Sequence, residues 1–252
     1  EHGRIAENLL AGRGFSIEFL GAEGPTSQQA PFYPYLLAAV YKYFGVGSPR
    51  AFLVVEMLQC LAGTLLVLVV VWMSWSMLPE QPLAGWLAGL GAAVYPTHLY
   101  MVTHFQVAVW AAFLLALLVA VVVSPWWRGR WIGAVVAGLL AGAILLVEPI
   151  LALALPICAL TFWLGERAGP WWRRLWWKPL ARLALMGAVA AAVVAPWTWR
   201  NYRVHGQWVF IKSTFGYAFW QGNNPASWGT DKVPKASAER LRNAHDGTLA
   251  DM

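Results

Sequence analysis

The sequence is poor in charge, poor in cysteine and free of the common signatures of metal and nucleotide sites. Charged residues make up 12% of its 252 residues, about half the share of a typical soluble domain, so lipid is the predicted solvent for much of the chain. The two cysteines, Cys60 and Cys158, stand inside apolar runs, which predicts small buried side chains rather than a disulfide or a metal pair. No HExxH motif, CxxC pair, GxGxxG sequence or P-loop occurs, so no metal and no cofactor is expected.

What the sequence does have is apolar and aromatic residues. Hydrophobic residues make up 59% of the chain, and its 17 tryptophans suit a protein with two membrane–water interfaces to anchor. The net charge of +6 would suit a nucleic-acid partner, but the basic residues cluster in short connections between apolar runs. The positive-inside rule places such clusters on the cytoplasmic side of a membrane, so we expect membrane lipids and no nucleic acid as partners.

Several apolar runs approach the roughly 20 residues that a membrane-spanning helix needs. They lie at residues 51–77, 83–101, 105–124, 131–147, 149–164 and 180–198. The connections 125–131 and 165–182 are basic, which places both on the cytoplasmic side. The predicted fold class is an all-α polytopic membrane protein. Residues 1–50 would form a first extracytoplasmic loop, 51–198 a transmembrane bundle of about six helices, and 199–252 the start of a C-terminal extracytoplasmic region.

The first loop is predicted to contain short helices of its own. Residues 4–11 form an amphipathic pattern with an apolar and a polar side: Ile5, Leu9 and Leu10 against Arg4, Glu7 and Asn8. Gly12 and Gly14 end this helix. Residues 31–46 are apolar but too short to span, and their four tyrosines suit the headgroup level, so this segment is expected to lie flat on the outer surface. Because the chain begins at Glu1 without methionine and ends in polar sequence, we expect it to be incomplete at both ends.

Ionisable residues at the outer rim of a bundle are functional candidates, because charge near lipid is expensive. Glu148 precedes Pro149 at an outer turn, where it is either a site residue or a cap of the next helix. Arg200 and Arg203 follow the last run, as site cations or as snorkelling interface residues. His104 is expected to be an interfacial hydrogen-bonding group rather than a metal ligand. These residues predict an outer-facing site above a hydrophobic body, which suits a substrate with a lipid tail.

Several stretches carry a resemblance to a known family. The first loop reads Arg4-Ile5-Ala6-Glu7-Asn8-Leu9-Leu10-Ala11-Gly12-Arg13-Gly14-Phe15-Ser16, then Gly24-Pro25-Thr26 and Pro31-Phe32-Tyr33-Pro34-Tyr35-Leu36-Leu37. The tail reads Pro196-Trp197-Thr198-Trp199-Arg200-Asn201-Tyr202, then Gly206 and Gly222-Asn223-Asn224-Pro225. In order and spacing these stretches resemble bacterial glycosyltransferase family 39, the dolichyl-phosphate-mannose protein mannosyltransferase-like group with the GT-C fold.

The resemblance implies a membrane glycosyltransferase that needs no cofactor. It would move a sugar from a polyprenyl-phosphate-linked donor to a lipid, glycan or protein acceptor. Its place would be the bacterial inner membrane, with the active site facing the periplasm or the exterior. Cations would hold the leaving phosphate, and Arg200, Lys212 and Arg203 are the candidates.

The resemblance also implies a carboxylate in the first outer loop, acting as general base or positioning the acceptor. The acid that the family usually carries falls upstream of Glu1. Glu1 is therefore either the catalytic carboxylate of this subgroup or the neighbour of one that precedes it. The candidates for lining the substrate cavity are Glu148, His104, Tyr33 and Tyr35, although the two tyrosines are equally typical of interfacial anchors.

A transporter or flippase of lipid-linked intermediates is the alternative function. That class favours broken helices with charges deep in the bundle, whereas the apolar runs here are nearly free of charge and the polar residues gather on one face. A structural subunit that presents its loops to a partner is a third interpretation, against which the many short outer motifs argue. The sequence does not name the sugar or the acceptor.

Overall fold

The computed structural model of the chain describes residues 1–19, 22–127, 129–166 and 177–223. It divides into two compact units: residues 1–38 with 197–252, here called the terminal unit, and residues 39–196, here called the helical unit. The chain is mostly helical, which confirms the predicted class at that level. Arg128, most of the basic connection 165–182, and the turn residues Asn224 and Pro225 lie outside the described residues.

The helices follow the apolar runs closely. They are α1 (His2–Leu10), α2 (Phe32–Phe44), α3 (Pro49–Met77), α4 (Pro82–Val94), α5 (Pro96–Thr103), α6 (Ala108–Val123), α7 (Trp131–Val147), α8 (Leu155–Glu166), α9 (Trp177–His205) and α10 (Phe215–Asn223). A 3₁₀ helix (Pro149–Ala154) leads directly into α8. An unpredicted antiparallel hairpin of β1 (Ser16–Phe19) and β2 (Ala22–Pro25) adds a small sheet to the first loop.

Two helices, α3 and α9, are long and apolar enough to cross a membrane by length and composition. Each has 29 residues, which at 1.5 Å per residue gives roughly 44 Å, more than the roughly 30 Å of a bilayer's hydrocarbon core. The start of α3 is well defined, since Ser48 Oγ accepts a 3.0 Å hydrogen bond from the backbone N–H of Ala51 and Pro49 occupies the first helical position.

The sequence predicted a single apolar helix over residues 83–101. This prediction is wrong, because the segment forms two helices. Helix α4 ends at Val94, Tyr95 is extended (φ −64°, ψ 119°), and α5 begins at Pro96. The residue before a proline is disfavoured in the helical region, since the proline ring clashes with its backbone. A hydropathy pattern does not register such a break, because the residues on both sides of it are apolar.

Helices α7 and α9 approach each other at glycines of the helical unit. A Cβ on Gly138 would lie 2.6 Å from Met186 O, and one on Gly142 would lie 2.6 Å from Val193 Cβ. Close backbone approach through small residues spaced four apart is a common way for membrane helices to pack. Gly138 lies against Met186 and Gly142 lies against Val193, so residue numbers increase in the same direction along both helices. Helices α7 and α9 are therefore parallel, and the chain reverses direction between them.

The described ends of the two basic connections lie together in the helical unit. Arg182, near the start of α9, donates a 3.2 Å hydrogen bond to Gly129 O. Its guanidinium carbon lies 5.5 Å from the ring centroid of Trp131, the first residue of α7. The described ends of both connections therefore lie at the same end of this helix pair.

The cysteine prediction is half confirmed. Both thiols are free; Cys158 is buried, as predicted, and Cys60 is exposed. Cys60 is exposed although it stands in an apolar run, because such a run does not distinguish positions that face other helices from positions that face lipid. On α3 many exposed positions, such as Leu53 and Leu61, are apolar as well.

In the terminal unit, α1 packs through Ile5, which is fully buried. The sequence placed Asn8 on the polar side of this helix, and that assignment is wrong because Asn8 is buried. Its amide donates to Ser16 O at 3.0 Å and to Ser16 Oγ at 3.2 Å, which attaches α1 to β1. Gly12 and Gly14 have φ of 75° and 72°, a region that favours glycine, and the helix ends before them as predicted.

Candidate functional site

Arg200, near the end of α9, holds the open end of the hairpin. Its NH1 group donates to Thr26 O at 2.7 Å and its NH2 group donates to Phe15 O at 2.9 Å. The backbone N–H of Thr26 closes the hairpin on the same Phe15 oxygen at 3.0 Å. The guanidinium also lies over two rings, 5.4 Å from the centroid of Phe15 and 5.0 Å from that of Trp197. One side chain therefore positions both ends of the hairpin.

Ser27 lies in a polar node with three side chains of α9. Its Oγ is 2.8 Å from Asn201 Oδ1, 2.8 Å from His205 Nε2 and 3.1 Å from Arg200 NH1. Both Ser27 and Asn201 are buried. A buried polar group is tolerated only when its hydrogen bonds are made, and this node makes them.

The end of α9 also fixes the loop that follows it. Trp197 Nε1 donates to Ile211 O at 3.1 Å, and Thr198 Oγ1 donates to Phe210 O at 2.8 Å. Asn201 Nδ2 donates to Val209 O at 3.0 Å and again to Ile211 O at 3.3 Å. The stretch Trp197 to Asn201 is thus the part of α9 that organises this unit.

The charge of Arg200 has no carboxylate partner within the described part of the chain. Its acceptors are all neutral oxygens: Thr26 O, Phe15 O, Ser27 Oγ and Asn201 Oδ1. The ion pair found among the described residues is the exposed one between Arg4 and Glu7. A half-buried guanidinium without an acid leaves a positive field, which favours an anion in this unit.

A second group of ionisable residues forms at the start of the chain. Glu1 accepts a hydrogen bond from the Gln29 side chain. The ring of His2 meets Tyr33 edge-on, with centroids 5.2 Å apart. Burial lowers the pKa of His2 from its usual 6.5 to about 4; the positive charge of Lys212 adds to this effect and Glu1 opposes it. His2 is therefore neutral at neutral pH, and its Nδ1 is buried without a hydrogen-bond partner in the described residues.

Glu1 and Lys212 therefore both act electrostatically on His2 within the terminal unit. The sequence prediction assigned roles to Glu1 and Lys212, and it assigned none to His2. Of the predicted lining residues, Tyr33 is 1% exposed and Tyr35 is 49% exposed. Tyr33 is therefore enclosed by the protein, whereas about half of Tyr35 is accessible.

The other predicted site residues stand elsewhere. Arg203 is exposed on the last turns of α9. Glu148 and His104 belong to the helical unit. Glu148 occupies the N-cap position of the 3₁₀ helix, but its side chain makes no capping hydrogen bond, so the capping alternative is not supported. His104 Nδ1 lies 2.9 Å from Tyr100 O and the two rings stack at 3.8 Å, which confirms a hydrogen-bonding histidine.

Among the described residues, no group of histidine, cysteine, aspartate and glutamate side chains is placed to hold a metal ion. In comparisons with known proteins, no family model, no curated protein and no solved structure matches the chain. Function must therefore be argued from the residues that carry the resemblance and from the geometry of the terminal unit.

Proposed function

We propose that the protein is a membrane glycosyltransferase that transfers a sugar from a polyprenyl-phosphate donor to an acceptor on the extracytoplasmic face. The observation that carries this proposal is the half-buried Arg200 guanidinium, which has only neutral acceptors among the described residues. It belongs to the same compact unit as Lys212 and the carboxylate of Glu1. Cations and an acid in one unit suit a reaction in which a phosphate leaves and a hydroxyl loses a proton.

In the proposed reaction, the acceptor oxygen forms a bond to the anomeric carbon of the donor sugar. The bond from that carbon to the phosphate oxygen breaks, and its electron pair leaves with polyprenyl phosphate. Glu1 accepts the proton of the acceptor hydroxyl or orients that hydroxyl for attack. Lys212 contacts the leaving phosphate, and Arg200 supplies positive field from its fixed position. Arg203, which is exposed on the last turns of α9, is a further candidate for a phosphate contact.

The rest of the chain would embed this unit in the bacterial inner membrane. The parallel arrangement of α7 and α9 supports at least one return crossing between them, and the shorter apolar helices α4 and α6 supply further candidate spans. The basic connections would face the cytoplasm. Glu148 and His104 remain candidates for the lining of a substrate cavity. The acceptor is a lipid, a glycan or a protein.

One observation favours the alternative, a transporter or flippase of lipid-linked intermediates. Transporters bind their substrates at discontinuous helices, and the break at Tyr95 between α4 and α5 is such a feature. Between Pro82 and Thr103 there is no aspartate, glutamate, lysine or arginine, which transporters often place at such breaks, and His98 is the one ionisable histidine of this stretch. The enzyme is therefore the first candidate.

The deciding experiment uses the complete natural protein in liposomes that contain a polyprenyl-phosphate hexose labelled in the sugar. Glu1→Gln should lower sugar transfer at least a hundredfold if this carboxylate is the general base. Glu80→Gln, the same change at an exposed position after α3, should leave transfer unchanged. Lys212→Ala should also lower transfer, and its matched control is Lys42→Ala at an exposed position of α2.

The outcomes separate the candidate functions. Transfer that survives Glu1→Gln would assign the base to an acid that precedes Glu1. Labelled lipid that crosses the bilayer without consumption of donor would overturn the enzyme proposal in favour of a transporter.

A further inference from the structure

The terminal unit contains a polar cavity of about 320 Å³ beside the Ser27 node. The polar residues that line it come from the turn after β2 and from the end of α9 with its following loop: Thr26, Ser27, Gln28, His205, Gln207 and Ser213. Its volume is at the lower end for small-molecule sites, which suits a compact ligand. Ser213 N–H donates to Ser27 O at 2.9 Å and so joins two of the segments that line the cavity.

The chemistry of the wall is neutral and rich in hydrogen-bonding groups. Hydroxyls, two side-chain amides and one imidazole line it, and none of the described lining residues is a carboxylate, a lysine or an arginine. Arg200 is not part of the wall, and its NH1 and NH2 donors are taken by Thr26 O, Ser27 Oγ, Asn201 Oδ1 and Phe15 O. The wall therefore lacks the acidic ligands that a hard cation prefers, and the nearby positive charge of Arg200 has no free donor to hold an anion directly.

The node next to the cavity determines what His205 offers. Ser27 has one hydroxyl proton and two neighbours that could accept it, Asn201 Oδ1 and His205 Nε2, both at 2.8 Å. The Asn201 amide is oriented by its donated bonds to two main-chain oxygens, so its Oδ1 can only accept. All contacts are satisfied when Ser27 donates to Asn201 and His205 Nε2–H donates to Ser27. In that tautomer Nδ1 of His205 is an acceptor.

We infer that this cavity is a subsite for a neutral sugar ring, a hexopyranose without a carboxylate or phosphate of its own. Each hydroxyl of a sugar both donates and accepts, and the amides of Gln28 and Gln207 and the hydroxyls of the wall do the same. In this tautomer His205 Nδ1 would accept a hydrogen bond from one hydroxyl of the sugar. This inference rests on the proposed function, in which the ring would belong to the donor or the acceptor.

The test measures binding of methyl hexopyranosides to the complete protein in lipid nanodiscs, by calorimetry and saturation-transfer NMR. Glucuronate and hexose 6-phosphate serve as charged comparisons and should bind more weakly. Gln28→Ala and Gln207→Ala should each raise the Kd about three- to tenfold, the effect of losing one hydrogen bond. Gln81→Ala removes the same side chain from an exposed position before α4 and should leave the Kd unchanged.

The inference is overturned if no hexopyranoside binds the wild type at millimolar concentration, or if both cavity variants bind as the wild type does. The experiment distinguishes the loss of this subsite from the loss of the proposed enzyme activity. Sugar transfer with an unchanged KM in both cavity variants would leave the enzyme intact and remove the subsite. Hexopyranoside binding that weakens in both variants, in a protein that consumes no donor, would retain the subsite and remove the enzyme.

Discussion

Ser27 and Asn201 stand 174 positions apart in the chain, and Ser27 Oγ lies 2.8 Å from Asn201 Oδ1. This bond joins the turn before α2 to the end of α9 within the terminal unit. Asn201 is 0% exposed, and its amide binds the following loop with its NH₂ group. Asn201 is buried and both its oxygen and its NH₂ group are hydrogen-bonded. Any other arrangement of the two segments would leave one of these buried groups unpaired, so the bond fixes their arrangement.

Asn201→Ala should therefore destabilise the terminal unit. The substitution leaves the carbonyls of Val209 and Ile211 without this donor, and the expected loss is about 1–3 kcal/mol of unfolding free energy. Unfolding in detergent, with hydrogen exchange at residues 209–211, measures it. Asn223→Ala is the control, since Asn223 is exposed and donates within α10 to Phe219 O. Equal losses in the two variants would contradict a special role for Asn201.

Gly138→Ala and Gly142→Ala should weaken the packing of α7 on α9. Each added methyl would meet an atom of α9 at 2.6 Å, and Met186 O is backbone that cannot rotate away. Overpacking of this kind costs about 1–3 kcal/mol. Gly187→Ala on α9 meets open space and should stabilise the helix by roughly 0.5–1 kcal/mol. Melting temperatures that move in opposite directions would verify the contact, and a uniform rise would refute it.

Stability should depend on the protonation of His2. Its pKa is lowered by burial from 6.5 to about 4, so the unfolded chain binds the proton more tightly than the folded one. Above pH 6.5 His2 is neutral in both states and does not change the free energy of unfolding. As the pH falls from about 6.5 to about 4, the unfolded chain takes up the proton first, so the free energy of unfolding decreases. Unfolding midpoints of wild type and His2→Gln across this range isolate the effect. The variant should show a shallower decline, and parallel curves would exclude His2 as the cause.

Gln59→Leu should destabilise the connection between α5 and α6. Gln59 is 0% exposed, and its Nε2 donates to Val102 O at 3.0 Å and to His104 O at 2.8 Å. Leucine keeps much of the volume but leaves both carbonyls without this donor, which should cost about 1–3 kcal/mol. Gln81→Leu is exposed and should change stability by less than roughly 0.5 kcal/mol. Faster hydrogen exchange through residues 99–108 would locate the defect.

Helix positions were predictable because long apolar runs and prolines are local signals. The run 131–147 is predicted and observed with the same limits. The break at Tyr95 was missed, although the Tyr95-Pro96 pair is itself a local signal that hydropathy ignores. The hairpin was missed because four-residue strands such as Ser16–Phe19 give too short an alternation to stand out.

The sequence predicted which residue types would form the candidate site, but it predicted less well which groups each of them would contact. Arg200 was named for its charge, yet its acceptors Phe15 O and Thr26 O are main-chain atoms more than 170 positions away. Ser27 and His205 form a node that depends on tertiary contact, and no spacing in the sequence encodes it. Asn8 was assigned to solvent because amphipathic patterns treat every amide as exposed.

The terminal unit has a consequence for biogenesis. It draws residues 1–38 from the beginning of the chain and residues 197–252 from the end. A ribosome delivers these segments in that order, with the whole helical unit between them. A nascent chain that stops before Trp197 carries the apolar body but has neither the Arg200 clamp nor the loop that bears Lys212. The hydrogen bonds of Arg200 to Phe15 O and Thr26 O can therefore form only after the helical unit has been synthesised.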